Sequence, residues 1–88
     1  MNQESKQGVS KKQHLVIENR IYIGQFQDGL LEGSGQVNCP DEFLFYSGEW
    51  HRGKPHGQGQ CSYLALGAIY KGQWQNGLKS GQGELHFQ

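Results

Sequence analysis

The sequence predicts an all-β fold, a single twisted antiparallel sheet of about seven strands built from consecutive β-hairpins. Three observations lead to this prediction. A pattern of aromatic residues and glycines recurs every 24 residues. Glycine accounts for 14 of the 88 residues, more than twice its usual share of roughly 7%, and most of these glycines belong to the pattern. Rings and glycines alternate with polar residues, which is the period of a strand with one apolar face.

Each unit of the pattern starts at a tyrosine: Tyr22, Tyr46 or Tyr70. A glycine follows two residues later and an aromatic ring, Phe26, Trp50 or Trp74, four residues later. Each unit then reaches a loop glycine and closes on a Gly-x-Gly pair, with no insertion between copies. Such regular spacing is the signature of a structural repeat. The glycines predicted to be structural are Gly24, Gly33, Gly35, Gly48, Gly57, Gly59, Gly72, Gly81 and Gly83.

The repeats divide the chain into a tail and one domain. Residues 1–13 are polar, carry three lysines and show no periodicity, so we expect a disordered tail. Residues 14–88 form the repeat domain. It begins with a half unit, 14–21, which fits the returning strand and turn that precede each tyrosine, and continues with the repeats 22–45, 46–69 and 70–88.

Alternation along the strands separates two faces of the sheet, here called the ring face and the polar face. Because glycine has no Cβ, a ring from a neighbouring strand can lie flat on its backbone, and both glycines of each closing pair are predicted to give this space. The pairs Asp28-Gly29, Arg52-Gly53 and Asn76-Gly77 are predicted to form the hairpin loops, where glycine takes positive φ. The ring face is predicted to carry Tyr22, Phe26, Tyr46, Trp50, Tyr63, Tyr70, Trp74 and Phe87. The polar face is predicted to carry mainly Gln, Ser, Glu and Lys, among them Gln25, Glu49, Lys71 and Gln73, interrupted by Ile21, Ile23, Phe45 and Ile69.

Composition argues against several functional classes. The formal net charge is zero, whereas a general nucleic-acid binder needs a clustered basic surface. A chain of 88 residues leaves little room for a deep enzyme pocket. No segment approaches the length of an apolar membrane span, and the polar amino terminus is unlike a signal peptide. A reducing, cytoplasmic setting is therefore expected.

The side chains that commonly perform chemistry are sparse. Cys39 and Cys61 fall on the ring face with no histidine near them in sequence, so we expect two core thiols. One strand separates them, which gives about 9–10 Å, too far for a disulfide. His51 and His56 share a loop but lack a third ligand with zinc-like spacing. The sequence predicts no catalytic residue, no metal site and no cofactor.

The repeat unit can be written Tyr-x-Gly-x-(Trp/Phe)-x-x-Gly-x-x-x-Gly-x-Gly, and residues 46–59 show it in full as Tyr-Ser-Gly-Glu-Trp-His-Arg-Gly-Lys-Pro-His-Gly-Gln-Gly. It resembles the MORN (membrane occupation and recognition nexus) repeat over residues 22–88. Phe26 departs from the family pattern, in which tryptophan is usual. The family includes ciliary radial-spoke proteins, cytoskeletal scaffolds and enzymes with a separate catalytic domain. The chain is most similar to the short three-repeat members, which implies a non-enzymatic protein associated with cytoskeletal or ciliary structures.

Two functions follow as expectations. The first is a scaffold or adaptor that binds a protein partner through the ring face or the unpaired sheet edges, either of which a homodimer would also cover. The opposing view is that sheet curvature and glycine packing bury the rings. The second function is attachment to anionic phospholipids through the basic loop 51–56, whose simpler interpretation is a solvated loop tip. The predicted protein-binding residues are Tyr22, Phe26, Tyr46, Trp50, Tyr70 and Trp74, and the predicted lipid-binding residues are Arg52, Lys54 and Lys71.

Overall fold

A computed structural model describes residues 13–88 as one seven-stranded antiparallel sheet in which every strand pairs with its neighbours in sequence. The all-β fold and the number of strands predicted from the sequence are confirmed. The predicted tail, 1–13, lies outside the described residues except for Gln13, which begins the first strand. The strands are β1 (Gln13–Ile17), β2 (Arg20–Gln27), β3 (Leu30–Cys39), β4 (Leu44–His51), β5 (Lys54–Tyr63), β6 (Ala68–Gln75) and β7 (Leu78–Phe87).

The sheet is a single open layer that measures 48 × 27 × 20 Å. β1 and β7 form its two edges. Within the part of the chain that the structure describes, no helix is long and apolar enough to cross a membrane.

Two-residue turns close the hairpins within the repeats. Both residues of each turn have positive φ, for example 51° at Arg52 and 79° at Gly53. This is the signature of a type I′ turn, whose twist matches that of the flanking strands. The positive φ predicted for the loop glycines is confirmed. The same geometry joins β1 to β2 through Glu18 and Asn19, with φ values of 49° and 65°.

Successive repeats are joined by a short 3-10 turn, Pro40–Glu42 after β3 and Leu64–Leu66 after β5. A residue in the left-handed region ends each turn: Phe43 (φ 51°) and Gly67 (φ 64°). A backbone hydrogen bond joins the two turns: the Leu64 N–H donates to the Phe43 carbonyl at 2.8 Å. The equivalent bond one repeat later joins the second turn to the residue after β7, with the Gln88 N–H donating to the Gly67 carbonyl at 2.8 Å.

The two glycines of each closing pair have different roles, which corrects the prediction that both make room for a ring. At the first glycine the returning strand bulges: between the pairs Gly48↔Gly59 and Trp50↔Pro55, β4 advances two residues and β5 advances four. Gly57 lies in this bulge with φ +86°, a conformation that L side chains rarely adopt. Its missing side chain faces Glu49 on the polar face rather than a ring.

A side-chain oxygen stabilises each bulge. Glu49 Oε1 accepts a hydrogen bond from the Gln58 N–H at 3.0 Å, across the bulge. Gln25 does the same for the Ser34 N–H (3.3 Å) and Gln73 for the Gln82 N–H (3.1 Å). From the sequence, these three residues were predicted only to lie on the polar face. Their spacing of 24 residues, with Gln or Glu each time, was the signal that they share a structural role.

The core lies on the ring face, with most of it between β3 and β6. Tyr46, Trp50, Tyr70 and Trp74 are its large members, and each is at most 9% exposed. Leu31, Val37, Cys39 and Cys61 fill the spaces between them. The expectation that both cysteines are core thiols is confirmed: they are free and buried.

Candidate partner-binding groove

The aromatic side chains of the ring face form a continuous row of edge-to-face contacts. Trp50 touches Tyr46 with ring centroids 5.2 Å apart, and Tyr46 touches Trp74 at the same distance. Tyr70 extends the row from Trp74 at 5.4 Å, and Tyr22 extends it from Trp50 at 6.4 Å. Interplanar angles of 70° to 90° place the positive edge of one ring on the negative face of the next.

The six predicted protein-binding residues therefore divide into two groups. Tyr46, Trp50, Tyr70 and Trp74 are buried in the isolated chain, so they form the floor of the ring face. Tyr22 and Phe26 are half-buried and pack against that floor near β1. A partner on this face meets Tyr22, Phe26 and the side chains around them before it meets the four buried rings. That these six residues bind a partner stays a prediction.

Hydrogen bonds fix the polar atoms of the floor. The Tyr46 hydroxyl donates to the Glu49 carbonyl at 2.9 Å, and burial raises the pKa of Tyr46 to about 12. Tyr70 donates to the Gln73 carbonyl at 3.3 Å in the same way. The Trp74 indole N–H donates to the Gly59 carbonyl at 3.2 Å. These three polar atoms of the floor are hydrogen-bonded, whereas the buried Trp50 indole N–H has no acceptor among residues 13–88.

Exposed aliphatic side chains surround the half-buried rings. Leu15 and Ile17 of β1 are 37% and 47% exposed, and Leu30, at the tip of the hairpin between β2 and β3, is 47% exposed. Together with Tyr22, Phe26 and Leu31 they line an apolar depression of about 140 Å³. We call Leu15, Ile17 and Leu30 the apolar rim. The rim was not predicted, although the alternation in the half unit places Leu15 and Ile17 on the ring face.

A larger groove, of about 390 Å³, is lined by four rings of the row, Tyr22, Tyr46, Trp50 and Trp74. Arg20 and Glu42 line it on the β2 side, where their side chains form an ion pair at 2.7 Å. Lys79 of β7 lines it on the opposite side. The groove therefore combines an aromatic floor with charged groups at both ends.

The basic loop 51–56 has an acidic neighbour from another strand, which was not predicted from the sequence. Glu32, from the preceding hairpin, accepts a hydrogen bond from the Arg52 backbone N–H at 2.9 Å and lies 3.0 Å from His51 Nδ1. These contacts, the Arg52 N–H first and then the His51 side chain, lower the pKa of Glu32. The Glu32 carboxylate thus lies beside the basic loop and offsets part of its positive charge.

The three predicted lipid-binding residues are not brought to one place. Arg52 and Lys54 lie at the tip of the hairpin between β4 and β5. Lys71 lies within β6, in register with Gln60 and Glu84 on neighbouring strands. Whether these residues bind lipid stays a prediction.

The remaining candidates for chemistry are two histidines and two cysteines. The rings of His51 and His56 are neighbours, with centroids 5.5 Å apart and planes tilted by 51°. Among residues 13–88, however, no group of three His, Cys, Asp or Glu side chains is placed to hold a metal ion. Burial raises the pKa of the Cys39 and Cys61 thiols, which disfavours the nucleophilic thiolate.

Comparison with protein-family models matches the MORN repeat at residues 22–42, 46–63 and 70–88, about two thirds of the chain. The chain belongs to the MORN-repeat family. Each match begins at the tyrosine that starts a unit. No curated protein sequence matches the chain significantly. MORN repeats form a non-enzymatic binding family whose members generally bind proteins or membranes.

Proposed function

We propose that this MORN protein is a non-enzymatic scaffold or adaptor that binds a protein partner on its ring face. The observation that carries the proposal is the apolar rim. Leu15, Ile17 and Leu30 leave a third to a half of their surface in water beside the half-buried rings of Tyr22 and Phe26. A contiguous apolar surface of this kind, next to a rigid aromatic floor, is typical of protein-binding sites.

The rim and the floor have different roles in this proposal. The rim supplies apolar area that a partner removes from water. The half-buried rings of Tyr22 and Phe26 line the same depression as the rim and pack against the buried core. A partner therefore meets a surface that is already formed, which favours affinity. The family likeness to cytoskeletal and ciliary proteins supports a cytoplasmic location on such structures, and detergent fractionation of cells that express the tagged chain tests it. Recovery with the insoluble cytoskeleton is the expected result, and full release before detergent is added would contradict it.

Site-specific crosslinking tests the binding surface. A photo-reactive benzoylphenylalanine is placed at Ile17 in one variant and at Val16 in another. Both residues lie on β1 and are exposed, at 47% and 65%, but alternation directs them to opposite faces. We expect discrete crosslinked proteins from Ile17 and none of these from Val16.

Substitutions of the same pair complete the test. Ile17→Ser is expected to lose the partner that the crosslink identifies, whereas Val16→Ser keeps it. Equal crosslinking from both faces, or binding that survives Ile17→Ser combined with Leu30→Ser, would refute the ring face as the binding surface.

Phospholipid binding through the loop 51–56 remains the alternative proposal. Arg52 and Lys54 provide two positive charges, and Glu32 beside them offsets part of this charge. Each base near an anionic surface contributes only about 1 kcal/mol, so this loop alone supports weak attachment. Vesicles containing phosphatidylserine at low salt test it, with Glu32→Gln expected to increase binding. No binding by either protein would remove this alternative.

A further inference from the structure

Lys79 brings an uncompensated positive charge to one end of the larger groove. The ion pairs within residues 13–88 join Arg20 to Glu42, His51 to Glu32 and His86 to Glu84. The Arg20 charge at the opposite end of the groove is therefore paired, whereas Lys79 has no carboxylate partner among these residues. A charge beside an apolar surface attracts an opposite charge more strongly than it does in bulk water.

The Lys79 ammonium lies at the hydroxyl edge of the Tyr63 ring. Its Nζ donates a hydrogen bond to the Tyr63 hydroxyl at 2.5 Å. Nζ also lies 5.3 Å from the ring centroid of Tyr70 and 5.5 Å from that of Trp74, within the range of about 6 Å over which aromatic rings attract a cation. These contacts position the ammonium while the residue stays exposed to solvent.

Two hydrogen-bond donors therefore meet at this end of the groove. An ammonium has three N–H groups, and the Tyr63 hydroxyl uses one of those of Lys79. Because that hydroxyl accepts from Lys79, its own O–H remains a donor. A single carboxylate can accept from both groups, and both hydrogen bonds are strengthened by its charge.

The Cys61 thiol shows which sign of charge this place favours. Cys61 lines the groove beside Tyr63 and Lys79. Burial raises the pKa of the thiol, whereas the Tyr63 hydroxyl and the Lys79 charge act in the opposite direction. Both groups thus stabilise a negative charge here. Since a neutral thiol is a weak acceptor, the hydroxyl is available to a carboxylate.

Comparison between the repeats shows that the donor pair is specific to one repeat junction. Lys79 takes the repeat position that Pro55 holds one unit earlier, and Tyr63 takes that of Cys39. The junction between the first and second repeats therefore has neither an ammonium nor a hydroxyl at these two positions. Two departures from the repeat, in different strands, meet at one point.

We propose that Lys79 and Tyr63 bind the carboxylate of an aspartate or glutamate in the protein partner, whose neighbouring apolar side chains lie on the rings of the groove. The site offers one positive charge, which one carboxylate neutralises. A phosphate group carries a charge of roughly −1.5 to −2 at neutral pH and matches this single cation less well. The inference rests on the proposed protein-binding role of the ring face and adds the chemistry of the partner.

The experiment titrates the wild-type chain with three peptides that differ only at their central residue. Each has the sequence Gly-Ser-Leu-X-Leu-Ser-Gly, in which X is glutamate, glutamine or phosphoserine. Acetylated and amidated ends leave X as the only charged group. The NMR signal of the Trp74 indole N–H, beside Lys79, reports binding in the groove.

The wild-type chain is expected to bind the glutamate peptide about fivefold more tightly than the glutamine peptide, because only glutamate adds a charge-assisted hydrogen bond. The two peptides have the same apolar side chains, so the comparison isolates the charge. We expect the preference to shrink as salt is added, since the Lys79 ammonium is exposed and salt screens it.

Three variants identify the groups that hold the carboxylate. Lys79→Gln removes the ammonium and is expected to bind the glutamate and glutamine peptides alike. Tyr63→Phe keeps the ring but removes the second donor, and is expected to reduce the preference to about twofold. Gln60→Glu is the matched control: it changes the net charge as much as Lys79→Gln does, but at an exposed position on the polar face, and is expected to keep the preference. Circular dichroism confirms that each variant is folded.

Several outcomes would overturn the inference. Equal binding of the glutamate and glutamine peptides by the wild-type chain, or no binding of either at millimolar concentration, refutes the carboxylate site. A preference that survives Lys79→Gln, or is lost equally in Gln60→Glu, shows that Lys79 is not the recognising group. Tighter binding of the phosphoserine peptide than of the glutamate peptide would assign the site to a phosphate group instead. Crosslinking from Ile17 does not depend on Lys79 or Tyr63, so failure here is distinguishable from failure of the proposed function.

Discussion

The Tyr46 ring lies flat against the backbone of Gly59 on the neighbouring strand. A Cβ at Gly59 would overlap the Tyr46 hydroxyl and its ring carbons. Tyr70 has the same relation to Gly83 one repeat later. In the first repeat the space over Gly35 is taken by Leu31 and Trp50 instead. The ring and the second glycine of each closing pair are thus one packing unit in the second and third repeats.

Gly59→Ala is expected to destabilise the sheet by about 2–3 kcal/mol, because the added methyl group has no space and the ring must move. Gly77→Ala is the contrasting control: its φ of +86° is unfavourable for alanine, but nothing lies within 4 Å of the added carbon. We expect a loss of about 1 kcal/mol there. Urea unfolding followed by circular dichroism measures both values.

A double-mutant cycle identifies Tyr46 as the cause. Tyr46→Phe removes the oxygen closest to the added methyl group, so Gly59→Ala should be less harmful in that background. Strictly additive losses would show that the cost arises elsewhere.

The bulge hydrogen bond gives a second prediction. Glu49→Gln is expected to leave stability within about 0.5 kcal/mol, because Gln25 and Gln73 make the equivalent bond in the other repeats. Glu49→Leu removes the acceptor of the Gln58 N–H and is expected to cost about 1 kcal/mol. Both are measured by urea unfolding. If the two variants lose stability equally, the carboxylate charge rather than the hydrogen bond is what matters at this position.

The period of 24 residues made the fold predictable. Tyrosine, ring and glycine positions in three copies place β2 to β7, and the hairpin glycines locate the turns within the repeats. β1 and its turn at Glu18 and Asn19 lie before the first full copy, and the half unit 14–21 indicates them. The bulges were not predicted, because a strict alternation of faces treats Gly57 and Gly59 alike. Only the pairing register separates them: Gly59 lies opposite Gly48, whereas Gly57 falls within the bulge.

The candidate site was harder to predict than the fold, because exposure depends on what covers a side chain. The sequence places Trp50 and Tyr22 on one face but does not tell that Trp50 is 4% exposed and Tyr22 half-buried. Contacts between side chains of different repeats could not be predicted from the sequence either. Glu32 contacts His51, 19 residues later, and Lys79 contacts Tyr63, 16 residues earlier. The residues that depart from the repeat, rather than those that define it, distinguish the surface of this chain.

A third prediction concerns the loss of stability at low pH. The folded state lowers the pKa of Glu32, so the unfolded chain binds the proton more tightly. The contribution of Glu32 to stability is therefore present above its unfolded pKa, near 4.5, and is lost as pH falls through the lower folded value. We expect the thermal midpoint of Glu32→Gln to fall less than that of the wild-type chain between pH 6 and pH 3. Asp41→Asn, which replaces an exposed carboxylate in the 3-10 turn, is the control. A Glu32→Gln curve parallel to that of the wild type would contradict the shift.

The fourth prediction compares the two tryptophans, which are similarly buried at 4% and 8% exposed. The Trp74 indole N–H donates to Gly59, whereas the buried Trp50 indole N–H has no acceptor in residues 13–88. Trp74→Phe loses a hydrogen bond and leaves a carbonyl without this donor, but Trp50→Phe removes an unsatisfied polar group.

We expect Trp74→Phe to cost about 1 kcal/mol more than Trp50→Phe, measured by urea unfolding with circular dichroism as the signal. Phe26 already fills the equivalent position in the first repeat, so the sheet accommodates phenylalanine there. The matched burial of the two rings makes the lost apolar area nearly the same in both variants. An equal or reversed order of stability would mean that Trp50 finds an acceptor in solution, or that the Trp74 bond contributes nothing.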